Sequence, residues 1–180
     1  MRFSFTPEQE EFRSSLRRAL EARSPTKEIR RLMATDQGFE RDGWKKLNQE
    51  LGLTAIHIPE AYGGGGFGQA DLAIVLEEMG RGLLCAPFLS TVLAANAILN
   101  AGSEEQKRAL LPAIASGETT ATLAFSEDGG GNDAEGIAMT ATQSGSAWQL
   151  GSSQSWRPLL SLSEASLQLV SGGTMHTVLG

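Results

Sequence analysis

The sequence predicts an α+β protein, with an all-helical N-terminal domain over residues 1–118 and an incomplete antiparallel β-barrel or sandwich domain over residues 119–180. The charge distribution supports this division, because of 15 basic and 21 acidic residues only Arg157 and Glu164 lie beyond Gly136. Hydrophobic periodicity supports it too, since apolar residues recur at helical spacing in the first region and in short, turn-bounded segments in the second. A chain of 180 residues is long enough to bury a core.

The first predicted helix begins after Thr6, which is a good N-cap residue. Pro7 then occupies the first helical position and Gln9 the third, which completes a capping box. Apolar residues follow on one face of this helix, at Phe12, Leu16, Ala19 and Leu20.

Four more helices are predicted in the same region. They are a short helix that opens at Gly43 and Trp44 and is capped by Gly52, a helix over 69–83, a helix over 88–101, and a helix that runs from a capping box at 103–106 towards Ala115. The segment 88–101 is apolar almost all round, so we expect it to lie at the centre of the domain.

Four short segments of the second region are predicted strands. They are rich in Thr, Val, Leu and Trp, and serine and glycine separate them: residues 119–125, 136–141, 147–150 and 166–170. Close turns of this kind are typical of a β-barrel or a sandwich.

Composition excludes several classes of protein. The net charge of −6 and the pI near 5.0 argue against binding to nucleic acid through phosphate neutralisation. The longest uncharged apolar stretch, 82–103, carries Pro87 and several polar residues, so a buried helix is favoured over a membrane span. One cysteine and two histidines leave no disulfide framework and no metal-ligand spacing. We therefore expect a cytoplasmic protein with no bound metal, no nucleic-acid partner and no membrane association.

Residues 63–68 satisfy the dinucleotide-binding pattern G-x-G-x-x-G, and a predicted helix follows them. The pattern is weak alone, because residues 59–62 separate it from the apolar run 53–58 and no further βαβ units follow. We favour a turn that lets the neighbouring segments pack closely.

A second glycine-rich segment, 127–133, directly follows an apolar strand. Its three consecutive glycines could present backbone N–H groups to an anion, with Ser126 and Asn132 adding polar side chains. Such a segment is also common as a simple turn. Trp148 and Trp156 leave a similar choice open, between stacking beside a planar cofactor and packing in a small β-domain core.

No nucleophile is credible from the residues alone. Cys85 lies in an apolar run without a nearby base and is predicted to be a buried structural thiol. The paired acids at 77–78 and 104–105 are predicted to be solvated helix faces and caps. The two histidines, His57 and His176, do not suggest a catalytic triad.

The order of the motifs, however, resembles the acyl-CoA dehydrogenase family. The segments that carry the resemblance are FTPEQEEF at 5–12, IPEAYGGGGFG at 58–68, LEEMG at 76–80, GSEEQK at 102–107 and, above all, AFSEDGGGND at 124–133. The last is similar to the family's flavin loop, and Trp156 falls where the family has a flavin-contacting tryptophan. The resemblance covers the family's N-terminal helical domain and part of its middle β-domain.

The resemblance implies an FAD-dependent enzyme that removes an α-proton from an acyl-CoA while the β-hydride moves to flavin N5. Carried over by position, the implied cofactor-binding residues are Leu123, Phe125, Ser126, Gly131, Asn132, Trp156, Arg157 and Pro158. Asn132 is also implied in binding the CoA part of the substrate. The family's base lies in a C-terminal helical bundle that this chain lacks, so no residue here is assigned a catalytic role.

Several positions depart from the family pattern. Asp128 replaces a proline, Asn132 a serine, and Pro158 a threonine whose hydroxyl and N–H address the flavin edge; proline offers neither group. The leading hypothesis is part of an acyl-CoA dehydrogenase that works as a homo- or hetero-oligomer. The alternatives are a non-catalytic flavin- or acyl-CoA-binding subunit of a full-length partner, and a decayed product that does not fold stably.

Overall fold

The computed structural model describes residues 4–123, 140–144, 147–151, 166–171 and 174–178, with side chains through Thr122. The described helices lie between residues 7 and 115. They are α1 Pro7–Arg23, α2 Thr26–Met33, α3 Arg41–Leu51, α4 Gln69–Arg81, α5 Phe88–Ala101 and α6 Glu104–Ala115, with a 3-10 turn at Glu60–Tyr62 between α3 and α4. The all-helical character predicted for this region is confirmed.

Both predicted capping boxes are present. The Thr6 side chain accepts a hydrogen bond from the N–H of Gln9, and Ser103 does the same for Gln106. Gly52 ends α3 in the left-handed conformation, with φ of +61°, as its predicted C-cap role requires. These helix ends are encoded by residues within one turn of each other.

Two differences from the predicted helices have local causes. The helix α2 was not predicted; it is eight residues long, has no side-chain cap and buries one residue, Ile29. The helix α4 ends at Arg81 rather than at residue 83, because Leu83 adopts a φ of +49°, which no right-handed helix accommodates.

The helices enclose two clusters of buried apolar residues. The first joins α1, α3, α4 and the start of α5, through Leu16, Leu20, Trp44, Leu47, Leu72, Val75, Met79, Phe88 and Val92. The second joins α5 and α6 to the first strand, through Ile58, Ala94, Ala95, Ile98, Leu111, Ile114, Ala115 and Ala121. Helix α5 contributes to both clusters, so it links the helical layers to the strand that follows α6.

The described strands are β1 Ala121–Leu123, β2 Thr140–Ser144, β3 Ala147–Gly151, β4 Ser166–Ser171 and β5 Thr174–Val178. One sheet has the order β1-β4-β5, and β2 pairs with β3 separately. The sequence predicts an antiparallel second region. The pairs β2–β3 and β4–β5 are antiparallel, whereas β1 and β4 run parallel, so the expectation is wrong for that pair. Strand β5 was not predicted. The incomplete barrel or sandwich and the domain boundary at 118/119 stay predictions.

Within the described ranges, no helix combines the length and the apolar character that a bilayer crossing needs.

Candidate functional site

The predicted flavin-contacting residues begin where β1 ends. Leu123 is the last residue of β1 and pairs with Gln168 of β4. The other predicted site residues lie outside the described residues: Phe125, Ser126, Gly131, Asn132, Trp156, Arg157 and Pro158. The described residues show how the chain passes from α6 to Leu123.

The connection from α6 to β1 is a tight turn. Gly117 adopts a φ of +72°, and its N–H donates to the carbonyl of Ile114 at 3.1 Å. The N–H groups of Glu118 and Thr119 both donate to the carbonyl of Ala113, each at 3.1 Å. The turn thus uses the free carbonyls at the end of α6, and the chain leaves the helix in a single direction.

A buried pair of polar side chains fixes the start of this turn. Asn48 of α3 donates from Nδ2 to Thr54 Oγ1 and accepts the Thr54 N–H at Oδ1, both at 2.8 Å. The Thr54 hydroxyl in turn donates to the carbonyl of Ile114 at 2.7 Å. A Cβ on Gly117 would overlap the Asn48 amide, so glycine is required there by space as well as by φ.

Another buried hydroxyl fixes the end of the connection. The Thr91 side chain of α5 donates to the carbonyl of Pro87 at 2.6 Å and accepts from the N–H of Ala121 at 3.2 Å. Ala121 is the first residue of β1 and is itself buried. The side chains of Thr54, just after α3, and of Thr91 on α5 therefore hold the two ends of the path into β1.

The strongest electrostatic feature of the described residues lies on α4. Glu78 is 2% exposed, and both of its carboxylate oxygens accept hydrogen bonds from the Arg17 guanidinium of α1. The Arg17 hydrogen bonds hold the pKa of Glu78 below its ordinary value, against the effect of burial. The prediction of a solvated acid pair is thus correct for Glu77, which is exposed, and wrong for Glu78. Residues 104 and 105 are exposed in the first turn of α6, as predicted.

The glycine-rich loop at 63–68 packs against the segment before it. Its N–H groups donate to backbone carbonyls: Gly65 to Ala55 at 2.8 Å, Gly66 to Ile58 at 2.9 Å and Phe67 to Ile56 at 2.9 Å. A Cβ on Gly64 would overlap the Ile58 carbonyl. Residues 53–58 form turns rather than a strand. This geometry supports the packing interpretation, because these N–H groups are already used and cannot cradle a phosphate.

His57 and Cys85 are two further described residues with potentially reactive side chains. His57 is 5% exposed, and neither ring nitrogen has a hydrogen-bond partner. Burial lowers the pKa of His57, which favours the neutral imidazole. Cys85 is partly rather than fully buried, with Sγ 3.9 Å from the carbonyls of Ile29 and Leu83. In the described part of the chain, no three His, Cys, Asp or Glu side chains are grouped closely enough to hold a metal ion.

Helix α5 is less central than its composition predicts. Leu89 and Leu93, one turn apart, are 57% and 38% exposed, while Val92, Ala95 and Ile98 are buried. The helix therefore buries one face and leaves part of another uncovered by the described residues.

The hydrogen-bonding roles of Asn48, Thr54 and Thr91 were not predicted. For Thr91 a signal exists in the sequence, because it lies in phase with the buried Phe88, Ala95 and Ile98. A polar residue on an apolar helix face needs a partner, and an isolated sequence does not say which.

Comparison with known proteins places this architecture. Residues 6–118 match the family model described as the acyl-CoA dehydrogenase N-terminal domain. The acyl-CoA dehydrogenase FadE26 of Mycobacterium tuberculosis is 32% identical over 174 residues, which is 89% of this chain and 41% of that protein. The chain thus spans less than half the length of this relative.

Solved structures share the fold. The ChsE4–ChsE5 complex from Mycobacterium tuberculosis superposes with a TM-score of 0.78 at 28% identity, covering 99% of this chain and 48% of that one. An acyl-CoA dehydrogenase from Bacillus anthracis, solved in complex with FAD, gives a TM-score of 0.65 at 30% identity over 83% of this chain and 26% of that one.

Proposed function

The chain belongs to the acyl-CoA dehydrogenase family, and on this basis we propose that it forms part of an FAD-dependent acyl-CoA dehydrogenase. The observation that carries the proposal is the family match over residues 6–118, which ends three residues before β1 and its predicted flavin-contacting Leu123. The reaction proposed is α,β-dehydrogenation of an acyl-CoA thioester. We also expect it to take place in the cytoplasm, since the single cysteine fits a reducing compartment.

The donor chemistry of the sequence fits a flavin at the proposed site. When bound, FAD supplies the acceptor for the hydride that leaves the β-carbon. Leu123 and Phe125 would supply apolar contact to the ring, and Ser126 a hydroxyl. Gly131 and Asn132 would approach the cofactor phosphate or the CoA moiety, and Trp156, Arg157 and Pro158 would lie along the flavin edge.

We propose that the general base comes from the family's C-terminal bundle and not from Glu78. Glu78 is the one buried carboxylate of residues 4–122, and its pKa is lowered because the Arg17 guanidinium binds it. A catalytic base for this reaction needs the opposite tuning, towards neutral pH. We therefore assign Glu78 to a structural ion pair with Arg17.

Flavin binding and turnover test the proposal separately. We expect the 180-residue chain to quench the fluorescence of added FAD, and we expect acyl-CoA-dependent reduction of an electron acceptor once the C-terminal portion is co-expressed. As a control, Trp148→Phe should leave flavin binding unchanged, because the proposal gives the cofactor role to Trp156 and not to Trp148. If the combined protein neither retains flavin nor oxidises any acyl-CoA, the proposal fails.

A second candidate is a flavin- or acyl-CoA-binding subunit that works beside a full-length family member. Two observations favour it: Pro158 offers neither a hydroxyl nor an N–H at the flavin edge, and a structural neighbour is a complex of two named proteins, ChsE4 and ChsE5. The intact mass of the polypeptide in its source cell separates the candidates. A mass well above 19.1 kDa favours the enzyme, whereas 19.1 kDa together with a co-purifying family member favours the subunit.

A further inference from the structure

We propose that Thr91 is a positioning residue for the flavin site, because its hydroxyl sets the place of β1 and thus of the flavin-contacting segment that begins at Leu123. The inference rests on the proposed function. It adds a residue of the helical domain, thirty positions earlier in the chain, to a site whose other members all come from β1 and the chain that follows it.

The hydroxyl is committed in both directions. Thr91 is 1% exposed, and its proton is directed to the Pro87 carbonyl at 2.6 Å, one helical turn earlier. This donation leaves a lone pair to accept the N–H of Ala121 at 3.2 Å. The helix itself therefore fixes the direction in which the hydroxyl can accept.

The bond lies at the start of the strand that leads to Leu123. Ala121 begins a strand of only three residues, and Leu123 ends it. Among the described side chains, Thr91 is the one that hydrogen-bonds to this strand. A shift or loss of order at Ala121 is therefore passed on to Leu123, which lies about 7 Å further along an extended chain.

The other end of the connection is already fixed without Thr91. The Thr54 hydroxyl, itself held by Asn48, donates to the Ile114 carbonyl, and the turn at Gly117 uses the carbonyls of Ala113 and Ile114. Loss of the Thr91 hydroxyl should therefore leave α6 and its turn in place and loosen β1 selectively. This selectivity separates a positioning role from a general role in folding.

The test uses Thr91→Val, which keeps the side-chain shape but removes the donor and the acceptor, and Thr91→Ser, which restores both. Ser90→Ala is the matched control, because the Ser90 hydroxyl also donates to the Pro87 carbonyl, at 3.2 Å, but does not bond to the strand. For each 180-residue chain we would measure the dissociation constant for FAD, the absorption spectrum of bound flavin and the amide exchange of residues 121–123.

We expect Thr91→Val to weaken FAD binding by about tenfold, to alter the flavin spectrum and to speed exchange at 121–123. Thr91→Ser and Ser90→Ala should stay within about threefold of wild type. Equal FAD affinity for Thr91→Val and wild type overturns the inference and leaves the proposed function standing. If the wild-type chain binds FAD only when the C-terminal portion is co-expressed, the same comparison is made on the combined protein. If the combined protein binds no FAD either, the flavin-binding proposal is overturned, and the role of Thr91 with it.

If the far-ultraviolet circular dichroism of Thr91→Val shows a loss of helix, Thr91→Cys takes its place, since a thiol is a weaker donor and acceptor. The expected order of FAD affinity is then wild type, followed closely by Thr91→Ser, with Thr91→Cys clearly weaker. Equal affinity across the three chains overturns the inference.

Discussion

Asn48, Thr54 and Thr91 are buried polar residues, and the side chain of each has its hydrogen-bond partners nearby. A buried polar group without a partner costs more than a typical hydrogen bond contributes, so such residues persist only where the backbone provides a partner. Here Thr54 bonds to Ile114 in the last turn of α6, and Thr91 bonds to Ala121 at the start of β1. Thr54 and Thr91 therefore tie both ends of the α6–β1 connection to the helical core.

Gly117 permits the first prediction at this scale. Gly117→Ala should lower the free energy of unfolding by about 2 kcal/mol or more, because the φ of +72° is strained for alanine and the new Cβ would overlap the Asn48 amide. Urea unfolding followed by circular dichroism measures the change. Gly52→Ala is the matched control: its φ is +61°, but nothing lies near the new Cβ, so it should cost only about 1 kcal/mol. Equal losses would show that the overlap does not matter.

The buried carboxylate of Glu78 predicts a pH dependence. Its pKa lies below the ordinary 4.5 because Arg17 donates to it, so its contribution to stability is present above the unfolded-state pKa and is lost as the pH falls through the lower, folded-state pKa. The free energy of unfolding should therefore decline below about pH 4.5, and Glu78→Gln should show a shallower decline.

The control for this measurement is Glu77→Gln, which removes a charge from the exposed neighbouring residue. At neutral pH it should change stability by a few tenths of a kcal/mol, whereas Glu78→Gln should be clearly less stable than wild type. Acid unfolding curves that run parallel for Glu78→Gln and wild type would contradict the assignment of this slope to Glu78.

At the scale of elements, what could be predicted depends on how local the signal is. The N-terminus of α1 and that of α6 follow from capping boxes contained within four residues, and both are confirmed. Helix α2 spans eight residues and has no side-chain cap, so the sequence carries no start signal for it. With one buried residue, it has too few apolar positions to show a helical period. The parallel pairing of β1 with β4 joins residues 45 positions apart, and no local pattern specifies it.

Helix α5 is apolar almost all round, yet one of its faces is buried and another is exposed. Ile98 is fully buried in the cluster shared with α6 and β1, and Ile98→Ala should cost about 3–4 kcal/mol. Leu89→Ala, on the exposed face, should change stability by no more than about 0.5 kcal/mol. Chemical denaturation of both variants checks this. Similar losses would show that Leu89 is covered in the folded protein.

At the scale of the whole molecule, the order of weak motifs identified the family where no single motif could. The all-helical character of the N-terminal region was predicted with it, and the described helices confirm that character. The site residues are predicted only from their positions in the family pattern. Leu123 is the one of them that lies on a described element, and flavin binding tests the others. Individual hydrogen bonds such as that of Thr91 depend on tertiary distances, so they required a structure.

Strand β1 packs against the helices although it lies beyond residue 118. The sequence predicts a boundary after residue 118, which is also where the family match ends, yet Ala121 lies in the cluster formed with α5 and α6, and Thr91 accepts its N–H. We therefore expect a chain of residues 1–123 to be more stable than one of residues 1–118 by about 1–2 kcal/mol, from the apolar area and the hydrogen bond that β1 adds. Thermal and urea unfolding of the two truncated chains measures the difference.

Introducing Thr91→Val into the longer chain should remove much of this gain in stability, since the hydrogen bond is then lost while the apolar contacts remain. If the two chains are equally stable, β1 belongs energetically to the β-domain, and its contact with α5 is a junction between two independent folding units.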